Sequence, residues 1–565
     1  MKSYITIIVS SLIFIGCRSG DNTPPATTTV SSIDNKNISN TSTNSTIIVD
    51  NNTQVKSLGS ASNINSIISI GDTPKSLYIV LSNSANTSFT PIISHSATKM
   101  VSKANLKIID TSLAQHNILP TPSYIREFKA PINTIKPQSK LINIPKQMKK
   151  DILGDKKIFS LDEYGSITTK ASAKKIVSDI TTSTGVRGLN IWVSDDAFDS
   201  GSGCSKTNCV TQYMVDILAD TFLKDGLEND IYDWVTNIYG SEWDINASNK
   251  NHKLIGADNM ITILLTDIDK DNSAIGGVIG YAWAKDNYLQ SEVFGSNERI
   301  IFYVDSVMFA NNLNNTWSID GFWAKETVST LAHELQHVIS FYQKEIMQDV
   351  SVDNWLAEML SEAVEDLVAT KVRYTGARGV VYTDGSAGEP DNIRGRYPLF
   401  NANSRLSLTK WSYNLADYSK VSAFGTFLIR NYGGAKLLKD IMNSSFGDYR
   451  AVEEAVRKTP QGANKTFANL LNEWGVAIIL SDSTNLIDLP TYNTGDFTYT
   501  TYNNITYNMG SINFFNYSPQ PTIYTTVGTI NPNSNYFYKV GDNLTGDINI
   551  TFKLNGETEA TVIFK

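Results

Sequence analysis

The sequence predicts an α+β protein in which a mixed sheet precedes a helical half, with small β regions on both sides. Three observations predict this class. Short, continuous apolar runs of strand length precede residue 305, as in Ile261–Leu265. Apolar residues then recur at helical intervals from Phe322 to Asp349, with no Pro or Gly between them. From about Asp488, Tyr, Thr, Asn and Ile alternate between turn signals, which is typical of a β-sandwich.

The N-terminal residues 1–17 have the features of an export signal. An apolar run from about Tyr4 to Ile15 is too short to span a bilayer and ends at Gly16-Cys17. This pattern predicts a lipoprotein signal whose cleavage leaves Cys17 lipidated, so that the exported chain is anchored to the bacterial cell envelope or cell surface. Ordinary signal cleavage, which releases the chain, is the competing prediction.

Composition divides the next part of the chain. Residues 18–59 are rich in Asn, Ser, Thr and Asp, and this composition predicts a disordered tether. Residues 60–155 predict a small β unit, from alternating runs such as Leu77–Leu81, followed by a Lys- and Pro-rich extended connector.

A larger domain is expected over residues 156–487. Its predicted strands lie at Leu189–Val193, Ile261–Leu265 and Arg299–Val304, and a long helix is predicted from about Thr211 to Tyr239. Cys204 and Cys209 lie in a loop rich in Gly, Ser and Asn and could close a local disulfide in an oxidising compartment. Metal binding by this pair is the weaker alternative, because no further ligands are nearby.

The helical half carries the sequence His333-Glu334-Leu335-Gln336-His337. Side chains four residues apart share one helix face at about 5–6 Å, so the two imidazoles can chelate one cation. Glu334 points away from them and can act on water. The HExxH arrangement predicts a zinc peptidase, and the alternative is an accidental match on a partly buried helix.

A catalytic zinc keeps three protein ligands, so a third must come from elsewhere in the fold. Glu358 follows His337 by twenty-one residues, a distance that fits two antiparallel helices joined by a loop. Its carboxylate would then face the histidines. The alternative is that Glu358, Glu362, Glu365 and Asp366 form a solvated acidic helix face.

The stretch from Trp355 to Glu362, WLAEMLSE, resembles the gluzincin peptidases, whose third ligand lies in a W-L-x-E or E-x-x-S-D context. It is more particularly similar to the hyicolysin-type family of secreted bacterial metallopeptidases. The resemblance implies a gluzincin-type domain with one catalytic zinc ion and Glu358 as its third ligand. It also implies Glu362, which replaces the Asp of the family pattern, as the carboxylate that orients a zinc-bound histidine.

Peptide hydrolysis also needs a donor to the developing oxyanion. All other histidines precede the motif, so a tyrosine is the predicted donor. Residues 411–442 resemble the Y-x-K-G…G-G segment of aminopeptidase-like gluzincins, with a helix that begins just after Tyr418 and ends at Gly433-Gly434. The resemblance implies Tyr418 as the donor, with Tyr413 in reserve. An ordinary packing role for such a tyrosine stays open.

Two loop segments could contribute further contacts. Asp267–Asn272 resembles the start of a calcium loop but lacks the Gly and the terminal Glu of an EF-hand. A solvated acidic turn is therefore favoured, and Ca²⁺ stays open as a second cofactor. The neighbouring stretch Gly276–Trp283 could offer an edge strand to an extended substrate.

These features predict a zinc endopeptidase that hydrolyses peptide bonds of extracytoplasmic proteins, with Glu334 as general base. Endopeptidase action is favoured because no amine-binding motif of the aminopeptidase type is evident. A net charge of −8 without a basic stripe disfavours nucleic acid as a partner. The competing prediction is a catalytically inactive surface lipoprotein, an adhesin or binding module, whose tether and C-terminal β-sandwich (residues 488–565) would serve attachment.

Overall fold

Two six-stranded sheets and a set of helices make up the fold. The computed structural model describes residues 42–50, 54–97, 117–129, 151–226, 230–257, 259–374, 385, 396–484, 486, 488–495, 497–500 and 505–565. The strands are β1 Ser42–Val49, β2 Val55–Gly59, β3 Asn63–Asn83, β4 Ile92–His95, β5 Asn117–Ile118, β6 Lys156–Ser160, β7 Thr168–Thr182, β8 Gly185–Ser194, β9 Met260–Thr266, β10 Gly276–Gly277, β11 Gly280–Ala282, β12 Ile300–Asp305, β13 Phe497–Thr500, β14 Thr506–Met509, β15 Ser534–Lys553 and β16 Thr558–Phe564. The α-helices are α1 Ser123–Arg126, α2 Gln212–Phe222, α3 Ile231–Tyr239, α4 Asn246–Lys250, α5 Ser306–Phe309, α6 Phe322–Ser340, α7 Asn354–Val368, α8 Arg396–Asn403, α9 Leu415–Asn431, α10 Ala435–Met442, α11 Tyr449–Arg457 and α12 Phe467–Ile479.

The central sheet has the strand order β11-β12-β9-β8-β7-β6. Strands β8, β9 and β12 run parallel, whereas β11 and the β6–β7 pair run antiparallel to their neighbours. The parallel strands are buried on both faces, because the helices cover one face and a second apolar cluster covers the other. The strands predicted at Leu189–Val193, Ile261–Leu265 and Arg299–Val304 are confirmed, since they correspond to β8, β9 and β12.

The helix predicted from Thr211 to Tyr239 is instead two helices, α2 and α3. Helix α2 ends at Phe222, and Gly226 has a φ of +121°, which a continuous α-helix does not allow. Asp230 then caps α3, because its carboxylate accepts from the backbone N–H of Asp233 at 2.8 Å.

The helical half brings α6, α7 and α9 together. Helix α6 continues into a π-helical segment, Phe341–Met347, and α7 returns antiparallel beside it. Helix α9 approaches α7 closely at Gly425, where a Cβ atom would lie only 3.2 Å from the carbonyl oxygen of Met359. The structure therefore holds three helices within side-chain reach of one another around the predicted site.

The second sheet joins the two ends of the chain, which corrects the predicted domain boundaries. Its order is β2-β16-β3-β15-β4, with β1 parallel to β3. Since β3 pairs with both β15 and β16, residues 60–155 and 488–565 do not form separate β domains. The buried side chains Val80, Phe537 and Ile563 belong to the same apolar cluster as Trp474 of α12. All described residues lie within one compact unit, Asn40–Lys565.

The predicted tether and connector also contain regular structure. Strands β1 and β2 lie within residues 18–59, the predicted tether. Strand β1 buries the side chains of Ile47 and Val49 against the sheet. The connector contains β5 and α1, and β5 pairs in parallel with β10. Cys17 lies outside the described residues. Among the helices of the described part of the chain, none has the length and apolar composition needed to cross a bilayer.

Candidate metal centre

Three ligand atoms from α6 and α7 converge on one point. Nε2 of His333 lies 3.0 Å from Oε2 of Glu358 and 3.1 Å from Nε2 of His337. Oε2 of Glu358 lies 3.3 Å from Nε2 of His337. Ligand atoms around a tetrahedral zinc ion with bonds of about 2.0–2.1 Å are separated by roughly 3.3 Å. The donor set and its spacing therefore fit a zinc ion, and the structure brings together the three predicted ligands.

The surroundings of His333 favour a cation at the centre. Its Nδ1 donates to Oε1 of Glu365 at 2.8 Å, since an ionised carboxylate can only accept, and its Nε2 faces Oε2 of Glu358 at 3.0 Å and would bind a metal ion after losing its proton. Burial lowers the pKa of His333, but the carboxylates of Glu358 and Glu365 outweigh burial and raise it to about 10. The same negative field that favours a proton at His333 favours a metal cation there.

The carboxylate that orients His333 belongs to Glu365, whereas the sequence resemblance implied Glu362. Glu362 instead forms a fork with Arg396, at 2.7 to 2.9 Å. Glu365 is held in place by Ser329, whose hydroxyl donates at 2.5 Å. Helical spacing offered a signal for this role, because residue 365 follows Glu358 by seven positions, close to two full turns on the same face.

Glu358 stays ionised in this surrounding. Burial raises the pKa of Glu358, but Arg126, His337 and His333 together lower it well below its usual range. Burial and Arg126 lower the pKa of His337. Oγ of Ser361 lies 3.5 Å from Nδ1 of His337, a longer contact than the 2.8 Å bond between His333 and Glu365.

Glu334 lies beside the three ligands at the edge of the central sheet. Its Oε2 accepts from the backbone N–H of Ala282 in β11 at 2.9 Å. The two terminal nitrogens of Arg126 donate to the two oxygens of Glu334, at N···O distances of 2.9 and 2.7 Å. Burial raises the pKa of Glu334, but Arg126 and His337 outweigh burial and lower it.

Tyr418 lies in the first turn of α9 and not before the helix as expected, because Asn414 caps the helix and starts it earlier. Its ring centre is 6.4 Å from that of His333, and its hydroxyl is buried without a hydrogen-bond partner among the described residues. Burial and Glu358 raise its pKa. The reserve candidate, Tyr413, instead donates to Oε1 of Glu127 at 2.6 Å.

The cysteine pair and the acidic loop form a separate structural unit. Cys204 and Cys209 are joined by a disulfide with a Cα–Cα distance of 5.7 Å. Between them, Nζ of Lys206 lies 2.8 Å from Oδ2 of Asp267 and 3.0 Å from Oδ2 of Asp196. The ammonium group of Lys206 therefore supplies the positive charge beside Asp267, at the start of the acidic loop. Within the described ranges, the groups spaced to hold a metal ion all contain His333, so calcium finds no support.

Sequence reasoning missed Arg126, which enters the site from a part of the chain that was predicted to be an extended connector. Its side chain is 9% exposed, and its Nε lies 3.1 Å from Oε1 of Glu358. It precedes the motif by about two hundred residues, and no local pattern around it indicates a functional role.

Comparison with known proteins agrees with this geometry. A family model described as Peptidase M30 matches residues 168–534. Neutral metalloprotease ShpI of Staphylococcus hyicus is 24% identical over 287 residues, covering 48% of this chain and 52% of that protein. The chain thus spans about half the length of this relative. The crystal structure of a mutant two-domain M1 zinc metallopeptidase bound to L-arginine covers 53% of this chain and 51% of its own, at 12% identity and a TM-score of 0.28. A likeness this low does not establish a shared fold.

Proposed function

Because this chain belongs to the Peptidase M30 family, we propose that it is a zinc metallopeptidase that hydrolyses peptide bonds at the centre formed by His333, His337 and Glu358. The observation that carries the proposal is the triangle of ligand atoms, 3.0 to 3.3 Å on each side. An accidental HExxH match would not place a third ligand from another helix at zinc spacing. The same triangle argues against the alternative of an inactive adhesin.

A zinc ion held by these residues would supply Lewis acidity, polarising the peptide carbonyl and lowering the pKa of water. The remaining steps belong to the protein. Glu334 takes the proton from the attacking water and passes it to the leaving amine, because its carboxylate lies beside the ligands and is anionic. Glu365 holds the imidazole of His333 so that Nε2 faces the centre.

Tyr418 is the proposed donor to the developing oxyanion. Its ring centre lies 6.4 Å from that of His333, its hydroxyl is buried, and none of the described residues forms a hydrogen bond with it. A raised pKa keeps the proton on the hydroxyl, so that it can donate. Two observations support this role: the ring of Tyr418 lies near that of His333, and residues 411–442 resemble the corresponding segment of gluzincins.

The finer features follow from the sequence. We infer endopeptidase action on extracytoplasmic proteins or peptides, because the pattern of residues 1–17 predicts an export signal and the sequence has no evident amine-binding motif. A lipid on Cys17 would keep the enzyme at the envelope surface. Membrane attachment is tested by labelling cells with a radioactive fatty acid and comparing the chain with a Cys17→Ala variant, which should lose the label.

The central test is the Glu334→Gln variant of the zinc-loaded chain. Loss of the base should lower kcat on a fluorescent peptide by about 10²- to 10⁴-fold, while the zinc content measured by mass spectrometry stays near one ion per chain. His337→Ala should lose the zinc itself. The matched control is Arg373→Ala, which breaks an exposed ion pair with Asp320 far from the ligands and should change neither quantity. Normal turnover by Glu334→Gln would show that another group is the base.

A further inference from the structure

Residues 117–129 reach the catalytic centre although they precede the family-matched region 168–534. Strand β5 pairs in parallel with Gly276–Gly277, and the backbone N–H of Leu119 donates to the carbonyl oxygen of Gly277 at 2.9 Å. This is part of the stretch that the sequence predicted as an edge for an extended substrate. A peptide from the same chain occupies that edge in the structure.

Apolar and aromatic contacts hold this segment in place. Ile125 is 4% exposed and packs in the apolar cluster that contains Trp283. The ring of Tyr124 meets that of Trp283 edge-on at 5.4 Å, and the ring of Phe128 meets that of Tyr288 at 5.9 Å. The side chains on both sides of Arg126 therefore pack against Trp283 and Tyr288 and hold Arg126 beside the catalytic carboxylates.

Arg126 engages the residue that must act as the base. Its two terminal nitrogens bind the two oxygens of Glu334 in a fork, and the pair is almost fully buried. Oε2 of Glu334 also accepts from Ala282, so both oxygens are bound by donors. A carboxylate held in this way by a cation is poorly placed to take a proton from water.

The metal and the arginine do not compete for the same atom. The ligand triangle uses Oε2 of Glu358, whereas Nε of Arg126 faces Oε1 at 3.1 Å. The chain can therefore hold a metal ion and the segment together.

We propose that residues 117–129 are an internal, inhibitory peptide ligand of the substrate cleft, and that Arg126 closes the site by binding Glu334. The inference rests on the proposed function, because it assigns the occupied edge and Glu334 to peptide hydrolysis. Hydrolysis then requires this segment to leave the edge formed by Gly276–Gly277. The cleft takes an extended peptide whose arginine faces the catalytic carboxylates.

Variants of the zinc-loaded full chain test the inhibitory role. Arg126→Ala, and Tyr124→Ala/Arg126→Ala in case one change leaves the segment bound, should raise kcat/KM on a fluorescent peptide by at least about tenfold. Tyr124 is 60% exposed, so its truncation is compatible with folding. Arg373→Ala is again the control and should match the wild type. Activity that stays the same or falls in both variants would overturn the proposal and would make Arg126 a residue that supports catalysis.

A binding measurement provides a readout independent of turnover. A fluorescent synthetic peptide with the sequence of residues 117–129 is titrated into the zinc-loaded double variant, and its anisotropy is recorded. Saturable binding is expected, weakened at least about tenfold when the peptide carries Arg126→Ala. The wild-type chain should bind it more weakly, because its own segment occupies the edge. Absence of binding to the double variant would contradict the proposal.

The two measurements separate failure of this inference from failure of the proposed function. If the peptide binds as expected but no variant hydrolyses any substrate, the inhibitory role and the peptidase activity are both refuted, while occupation of the cleft stands. If the wild type already hydrolyses peptides as fast as the variants and no peptide binds, the peptidase activity stands and the internal ligand is refuted.

Discussion

Glu365 and Glu362 lie on the same helix, and of the two it is Glu365 that forms a hydrogen bond with a histidine of the proposed metal centre. Glu365 fixes the proton of His333 on Nδ1 through a bond of 2.8 Å, whereas Glu362 binds Arg396. We expect Glu365→Gln to weaken zinc affinity by about 10- to 100-fold, since outer partners of ligating histidines have effects of this size. Zinc affinity is measured by competition with a chelator. Glu362→Gln is the matched control, and an equal or larger loss in that variant would reverse the two assignments.

Tyr418 is distinguished from Tyr413 by its hydrogen bonding. The hydroxyl of Tyr418 has no partner among the described residues, whereas Tyr413 contacts Glu127 and Asn354. We expect Tyr418→Phe to lower kcat by about 10²- to 10³-fold, because a donor to the oxyanion acts mainly in the transition state. KM and zinc content should change little. Tyr413→Phe, measured in parallel, should retain most of the turnover; the opposite ranking would transfer the role to Tyr413.

At the scale of elements, α3 shows how a buried cap couples stability to pH. Burial raises the pKa of Asp230 to about 7, although two backbone N–H groups act in the opposite direction. The unfolded chain releases this proton near the ordinary value of 3.8. Between these values the folded chain binds more protons than the unfolded chain, so stability falls as the pH rises from about 4 to about 7.

Asp230→Asn should therefore flatten this dependence, because an amide has no proton to release in that range. Between pH 5 and pH 8 we expect the unfolding free energy of the wild type to fall more than that of the variant, by roughly 2–3 kcal/mol, because about two pH units lie between pH 5 and the folded pKa and each contributes about 1.4 kcal/mol. Chemical unfolding at both pH values measures it. Asp448 caps α11 but has its pKa lowered by Arg450, so it is ionised in the folded and unfolded chains throughout this range and Asp448→Asn should leave the pH dependence unchanged. Parallel pH curves for wild type and Asp230→Asn would contradict the expectation.

The elements that sequence predicted well are those whose signal is local. His333, His337 and Glu358 fall within one helix pair, and helical periodicity is enough to place them on facing surfaces. The strand Ile261–Leu265 is a continuous apolar run, as a strand buried on both faces must be. The break between α2 and α3 was missed because apolar periodicity continues across it, although Gly226 and Asp230 marked it.

What sequence could not predict depends on contacts between distant parts of the chain. Strand β3 pairs with β15, so that Leu81 faces Tyr536 across more than four hundred residues. Arg126 meets Glu334 at a separation of 208 residues. Alternating apolar patterns make each strand recognisable but do not select its partner, and a single arginine carries no periodic signal at all. The choice among Glu358, Glu362 and Glu365 required the rotation of α7 relative to α6.

At the scale of the whole molecule, the second sheet makes the C-terminus part of the catalytic fold. Strands β15 and β16 flank β3, and α12 packs across them. The side-chain amide of Asn535 donates to the carbonyl oxygen of Leu471 at 2.9 Å, and Thr561 donates to Asn472 at 3.0 Å. Since α12 shares its core with α9, the sheet supports the helix that carries Tyr418.

Removal of residues 534–565 should therefore destroy the peptidase and not merely an appendage. The truncated chain leaves β3 without β15 and β16 and exposes the apolar cluster around Val80 and Trp474, so we expect loss of soluble protein and of zinc binding. Soluble yield and zinc content after expression provide the measurement. Ile563→Asp, which places a charge in the same core, should give a similar result, whereas Ile48→Ser on an exposed face of β1 should be tolerated. A soluble, zinc-loaded and active chain ending at residue 533 would instead show that the catalytic region folds without this sheet.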